Sequence, residues 1–227
     1  MKNLKEYVTE GFKLSKNYKK PYSYYPKSKE ELIDIIKKLI DERGNEANLN
    51  DIDVSQITDM SRLLTNLDFD GDISGWNVSN VKDMSYIFAG CAFDGDISKW
   101  DVSNVEDMTG MFAKSQFNGD ISNWDVSNVK DMNCMFFKSK KFNGDISNWN
   151  VSNVTNMNFM FSGSKFTGKN GDISKWNVSN VNNMRYMFLN SKFAGDLSKW
   201  NVSKDVDVID MFEKSPLEGK EPAWYEE

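Results

Sequence analysis

Tryptophan falls in this chain at nearly even intervals. Trp76, Trp100, Trp124, Trp149, Trp176, Trp200 and Trp224 lie 24, 24, 25, 27, 24 and 24 residues apart. The first five open nearly the same phrase, W-[DN]-V-S-N-V-x-[DN]-M-x-x-M-F, and Trp200 opens a worn copy of it. Each of the first five leads to an aromatic residue and a Gly-Asp pair, as at Phe117, Gly119 and Asp120. A unit this short cannot bury its own apolar face, so such a period implies coils stacked on one another. It argues against a globule built around a single enzyme-like centre.

Counting each tryptophan as zero, apolar residues recur at −3, 0, +2, +5, +8, +11, +12 and +17. In one copy these are Ile97, Trp100, Val102, Val105, Met108, Met111, Phe112 and Phe117. The −3, 0, +2 spacing matches the L-x-x-L-x-L strand of leucine-rich repeats, which predicts a concave parallel sheet with the −1 and +1 side chains facing out. Asn104 and Asp107 are expected at turns, bonding backbone groups that irregular coils leave open. The fold expected is an α/β repeat solenoid, a right-handed leucine-rich-repeat array of about seven 24-residue coils with a parallel sheet on one face and an N-terminal capping helix.

The ends of the array differ from its middle. In the first copy Ile52 replaces tryptophan, followed in register by Val54, Ile57, Met60, Leu63, Leu64 and Phe69. In the last copy residues 204–208 disturb the phase, while Met211, Phe212, Gly219 and Trp224 keep it. Before the array, Ser28 and Glu31 form a capping box for a helix over 28–43 with Leu32, Ile35, Ile36 and Leu39 on one stripe, and Gly44 ends it. The helix is expected to cover the first coil, with Pro216, Pro222, Trp224 and Tyr225 closing the last. The organisation is then a basic, Tyr-rich arm over 1–27, a capping helix over 28–48 and the repeat array with its C-terminal cap over 49–227. Within the arm, Leu4, Tyr7, Val8 and Phe12 suit a short amphipathic helix. Tyr18, Tyr22, Tyr24 and Tyr25, with Pro21 and Pro26 among them, suit an extended strap packed on the body.

Charge is divided between these parts. The chain carries −6, but residues 1–29 hold eight Lys and two Glu, which leaves −12 on the remainder. An acidic body argues against a nucleic-acid binder. The chain has no histidine, which removes Ser-His-Asp and Cys-His chemistry and most catalytic zinc sites. Cys91 and Cys134 occupy different phases of the repeat and read as free thiols. No cofactor or metal is expected. Residues 1–7 hold no apolar h-region and no long apolar run exists, so a cytoplasmic or virion-associated setting is expected over a secreted one, without membrane insertion.

The phrase above, followed by F-x-G-D-I-S over roughly residues 49–220, resembles the BspA-type leucine-rich repeat of bacterial surface proteins. Cys91 falls where that family often carries a Gly-Cys pair. The resemblance implies a curved solenoid that binds proteins or host surfaces and is not a catalyst. The first residues are similar to leaders of Bacteroidetes and phage proteins.

Three surfaces are candidate sites. The first is the concave face, with Lys99, Asn123, Asn148 and Lys175 at −1 and Asp101, Asp125, Asn150 and Asn177 at +1. The second is the edge where two copies are lengthened, near Lys140, Lys141 and Lys169, with Lys114, Lys138, Lys165 and Lys192 beside them. Insertions in repeat arrays map to loops and often to binding faces. The third is the row Asp72, Asp96, Asp120, Asp145, Asp172 and Asp196, stacked about 5 Å apart. Backbone N–H groups would compensate their repulsion. Calcium is the other choice, but each copy supplies one such Asp and calcium takes six to eight oxygens.

The expected function is a non-catalytic scaffold that binds a protein, or a glycan, through the concave face or the Lys-rich edge. The alternative is a structural component of a phage particle or surface assembly, attached by the arm.

Overall fold

The computed structural model describes residues 22–226. The helix expected on Leu4 to Phe12 and the start of the tyrosine strap lie outside them. One helix, α1 (Lys29–Arg43), precedes a stack of coils. Ser28 Oγ accepts the Glu31 N–H at 3.2 Å, while the Glu31 carboxylate reaches back one residue further than a capping box requires, to the Lys27 N–H. Gly44, at φ 85°, ends the helix and its N–H returns to the Ile40 carbonyl. Leu32, Ile36 and Leu39 are buried in the common core. Lys29 bonds Asp59 and Ser61, and Arg43 holds Asp51 through two bonds of 3.0 Å, so α1 is fixed to the first coil. The described part of the strap joins the same coil, where Tyr24 bridges Ile52 in parallel and packs on the core.

Every apolar position of the repeat is buried in the intact copies, from Ile97 and Trp100 to Phe112 and Phe117. Like residues stack in columns: Trp76 on Trp100 at 6.3 Å, Phe93 on Phe117 at 6.3 Å, Phe112 on Phe136 at 5.7 Å. Offset stacking at such spacings adds to the area each ring buries. Each indole Nε1 donates to the carbonyl of the −3 residue one coil earlier, from Trp76 on Leu49 at 3.0 Å to Trp224 on Leu197 at 2.7 Å. A second column runs on the surface, where Asn80, Asn104, Asn128, Asn153 and Asn180 each donate from Nδ2 to the carbonyl of the serine at +3 of the coil before.

The expected parallel sheet is absent among the described residues. Neighbouring coils of the array meet in isolated parallel bridges, chiefly at +7, along Asp59, Asp83, Asp107, Asp131, Asn156, Asn183 and Asp207. Two features of the backbone explain this. The segment meant for a strand closes local turns instead: the Trp100 N–H returns to the Ile97 carbonyl and the Val105 N–H to that of Val102. Beyond the bridge the chain divides its donors. The N–H groups of Met84, Tyr86, Phe88 and Gly90 reach the next coil, while those of Ile87, Ala89 and Cys91 turn back three residues. Left-handed residues recur at +10 and +14, as at Cys134 (φ 57°) and Lys138 (φ 51°), and a strand cannot pass through positive φ. The described residues therefore form a stack of turn-rich coils preceded by one helix, and not an α/β solenoid.

At the far end Trp224 stacks on Trp200 at 6.1 Å and Tyr225 meets Phe212 edge-on at 5.1 Å. The Tyr225 N–H bonds the Pro222 carbonyl, whereas Pro216 stays exposed.

Candidate functional site

The first surface expected to bind is exposed but largely occupied by its own structure. Lys99, Asn123, Asn148 and Lys175 face solvent. So do Asp101, Asp125, Asn150 and Asn177, yet each of these turns Oδ1 inward onto the backbone N–H of its own +3 serine, at 3.1, 3.0, 3.2 and 3.2 Å. The two bonds from Ser127 also hold the Asp125 carboxyl below its usual range. The +1 row thus shapes the turn that follows tryptophan. With no sheet beneath them, these residues do not form the concave strand face expected.

The aspartate row behaves as the backbone-turn reading requires. Asp72, Asp96, Asp120, Asp145, Asp172 and Asp196 each accept the N–H of a serine two residues on, at 2.8–3.0 Å. Bonds from that serine's N–H and hydroxyl lower the carboxyl pKa of Asp72, Asp96, Asp120, Asp172 and Asp196. Among the described residues no group of three or more carboxylates and cysteines is placed to hold a metal ion. Asn104 and Asp107 sit at turns as expected, Asp107 accepting the Thr109 N–H at 2.7 Å. Both thiols are free, with Cys91 buried and Cys134 half-buried.

Of the lysine-rich edge, the structure brings Lys114 and Lys140 together. Lys114 and Lys140 line one shallow cleft with Gln116 and Asp68. Lys141 reaches Asp94 at 3.8 Å, an exposed pair worth little in water. The longer insertion is a closed turn, since Thr167 and Asn170 both bond Asn143 and Gly168 packs against the Phe193 ring at φ 77°. Lys169 is exposed on that turn, in the coil after Lys140 and Lys141. Lys114 and Lys138 both stand at +14, in left-handed conformations that project from successive coils.

Beside these lysines runs a feature the sequence reading did not find. The +10 and +13 positions carry Tyr86, Cys134, Phe137, Phe159 and Tyr186, all half-buried. Phe137 meets Phe159 edge-on at 5.9 Å and Phe159 stacks on Tyr186 at 4.6 Å. The Arg62 guanidinium lies 4.4 Å from the Tyr86 ring centre, and Lys138 Nζ 5.0 Å from that of Phe137, both within cation–π range. Between Tyr86 and Phe137 the ridge dips over Ala89, Gly90 and Ala113 into a cleft of about 330 Å³, with Lys114 at its rim. Gly110 makes room for the Tyr86 ring that walls the cleft, because a Cβ there would lie 2.3 Å from it. Burial pushes the Tyr86 phenol and the Cys134 thiol above their ordinary values, so both are neutral at pH 7. The signal for this ridge was present: +11 and +12 hardly change between copies, while +10 runs Arg, Tyr, Gly, Cys, Phe, Tyr, Asp.

A family model described as "Mycoplasma protein of unknown function, DUF285" matches the chain twice, over residues 35–126 and 113–224. Comparison with the curated proteins and with the solved structures gives no match.

Proposed function

We propose that this chain, which belongs to the DUF285 family, is a non-catalytic recognition protein that binds a protein partner through its lysine-rich edge. The observation that carries this is the contrast between two surfaces. The +1 row is Asn or Asp in every coil from Trp76 to Trp176, and its groups are used up in turns. The edge from +10 to the Gly-Asp pair varies in chemistry, holds the insertions and gathers cations on an otherwise acidic body. A stacked array leaves such positions free to vary, because each coil's stability rests on its buried columns.

The likeness of the coil phrase to the BspA-type repeat, whose members bind proteins or host surfaces, supports recognition over catalysis. The lack of histidine points the same way. The test is pull-down with the immobilised full chain, comparing Lys140→Glu/Lys141→Glu/Lys169→Glu with Asp101→Arg/Asp125→Arg. Loss of a bound protein in the lysine variant alone is expected. Loss in the aspartate variant alone moves recognition to the other face, and a chain that retains no protein at all overturns the proposal.

A further inference from the structure

We infer that the cleft between Tyr86 and Phe137 receives an apolar side chain from an acidic segment of a partner protein; this deepens the recognition role proposed above and rests on it. The cleft has an apolar floor of Ala89 and Ala113 and an aromatic wall at each end. Its sole charged lining residue is Lys114, and Lys138 stands over the adjacent Phe137 ring. No carboxylate lines it among the described residues. A cation rim around an apolar dip, on a chain of net −6, complements an acidic peptide with a large apolar anchor.

The ring geometry favours a peptide over single-stranded nucleic acid. Base stacking needs open ring faces and a groove that tracks phosphates. Here Tyr86 is faced by Arg62 and overlies Gly110, while Phe159 is stacked on Tyr186. The remaining opening has the size of a side chain.

The natural copies supply conservative disruptions. Phe137→Ser installs the residue that the next coil carries at +13, Ser162, and Tyr86→Gly installs Gly110's residue in the same left-handed conformation. The experiment is selection of a random-peptide library on the full chain, followed by fluorescence anisotropy of the enriched peptides and of oligo-dT, with thermal melting to confirm each variant is folded. The expected result is a consensus of Asp or Glu around an aromatic or leucine. Binding should weaken with salt, by roughly tenfold or more in Phe137→Ser, and again in Lys114→Glu/Lys138→Glu. A neutral or basic consensus, binding unchanged in folded Phe137→Ser and Tyr86→Gly, or oligo-dT bound in place of peptide overturns the inference. So does a dimer of the chain that Phe137→Ser abolishes, which assigns the cleft to a second copy. If the pull-down above still retains a protein through the lysine edge in any of these cases, the recognition role stands without the cleft.

Discussion

The indole Nε1 of Trp124 donates to the carbonyl of Ile97, one coil away, at 3.1 Å, with both residues buried. The same carbonyl accepts the Trp100 N–H at 3.1 Å, so one oxygen joins a local turn to the next coil. Trp124→Phe keeps a ring in the column but removes the donor and part of the volume. Urea unfolding should show a loss of about 1–3 kcal/mol. Trp224→Phe, at the half-exposed end of the column, should cost less. Equal losses at the two sites would show that the column does not depend on burial.

The buried positions of this fold were legible because they recur: Ile97, Trp100, Val102 and Phe117 could be placed inward from spacing alone. The bonding between coils was not. Apolar spacing says which side chains are inside, and it is silent on whether an N–H turns sideways or back along its own chain. The left-handed residues that decide this are glycine at Gly90, Gly110 and Gly163, but Arg62, Tyr86, Cys134 and Phe159 elsewhere, so no residue type marks them. The lysine edge was visible through its insertions at Lys140, Lys141 and Thr167. The aromatic ridge was not, since attention to what repeats passes over the positions that change.

Those left-handed positions yield a prediction of sign. Lys114 sits at φ 58°, where its counterparts one coil before and two coils after are Gly90 and Gly163. A non-glycine residue there carries a strain of about 1–2 kcal/mol, partly offset by the greater freedom glycine has when unfolded. Lys114→Gly should therefore stabilise by about 0.5–1 kcal/mol and Lys114→Val should destabilise, as read from paired thermal melts. A loss in the glycine variant would mean that the lysine stem contributes packing larger than the strain.

The asparagine column is a separate, exposed tie between coils. Asn128 Nδ2 donates to the Ser103 carbonyl at 2.7 Å. Asn128→Asp preserves shape and removes the donor, placing a carboxylate against a carbonyl oxygen. A cost of about 0.5–1.5 kcal/mol is expected at pH 7, and part of it should return as the carboxyl is protonated in acid. A cost that stays constant with pH would separate the effect from this bond.

The aspartate row gives the chain as a whole the opposite pH response. Serine bonds depress the folded pKa of Asp72, Asp96, Asp120, Asp172 and Asp196, so in acid the unfolded chain takes up protons first. Their contribution is complete above the unfolded carboxylate value of about 3.9 and is lost as pH falls through the folded values. Melting temperature should hold steady from pH 7 to about 5 and fall below about 4. Asp72→Asn/Asp96→Asn/Asp120→Asn retains the turn acceptor without the charge, and should flatten that acid limb. An unaltered limb would place the acid sensitivity in other carboxylates.

Excision of a whole coil tests the stack itself. Removing residues 101–124 joins Trp100 to Asp125, and the repeat phase is preserved because the deletion spans one period. Trp149 then finds Ile97 where Ile121 had been, and Phe136 follows Phe88 in its column. The shortened chain should fold cooperatively, with a lower urea midpoint and a smaller m-value, since less surface is exposed on unfolding. Removing residues 101–149 should lower both again. A chain that loses its fold on the first excision would mean that one coil holds something its neighbours cannot replace. An unchanged midpoint would mean that stability resides in α1 and the ends, with the coils between them contributing nothing.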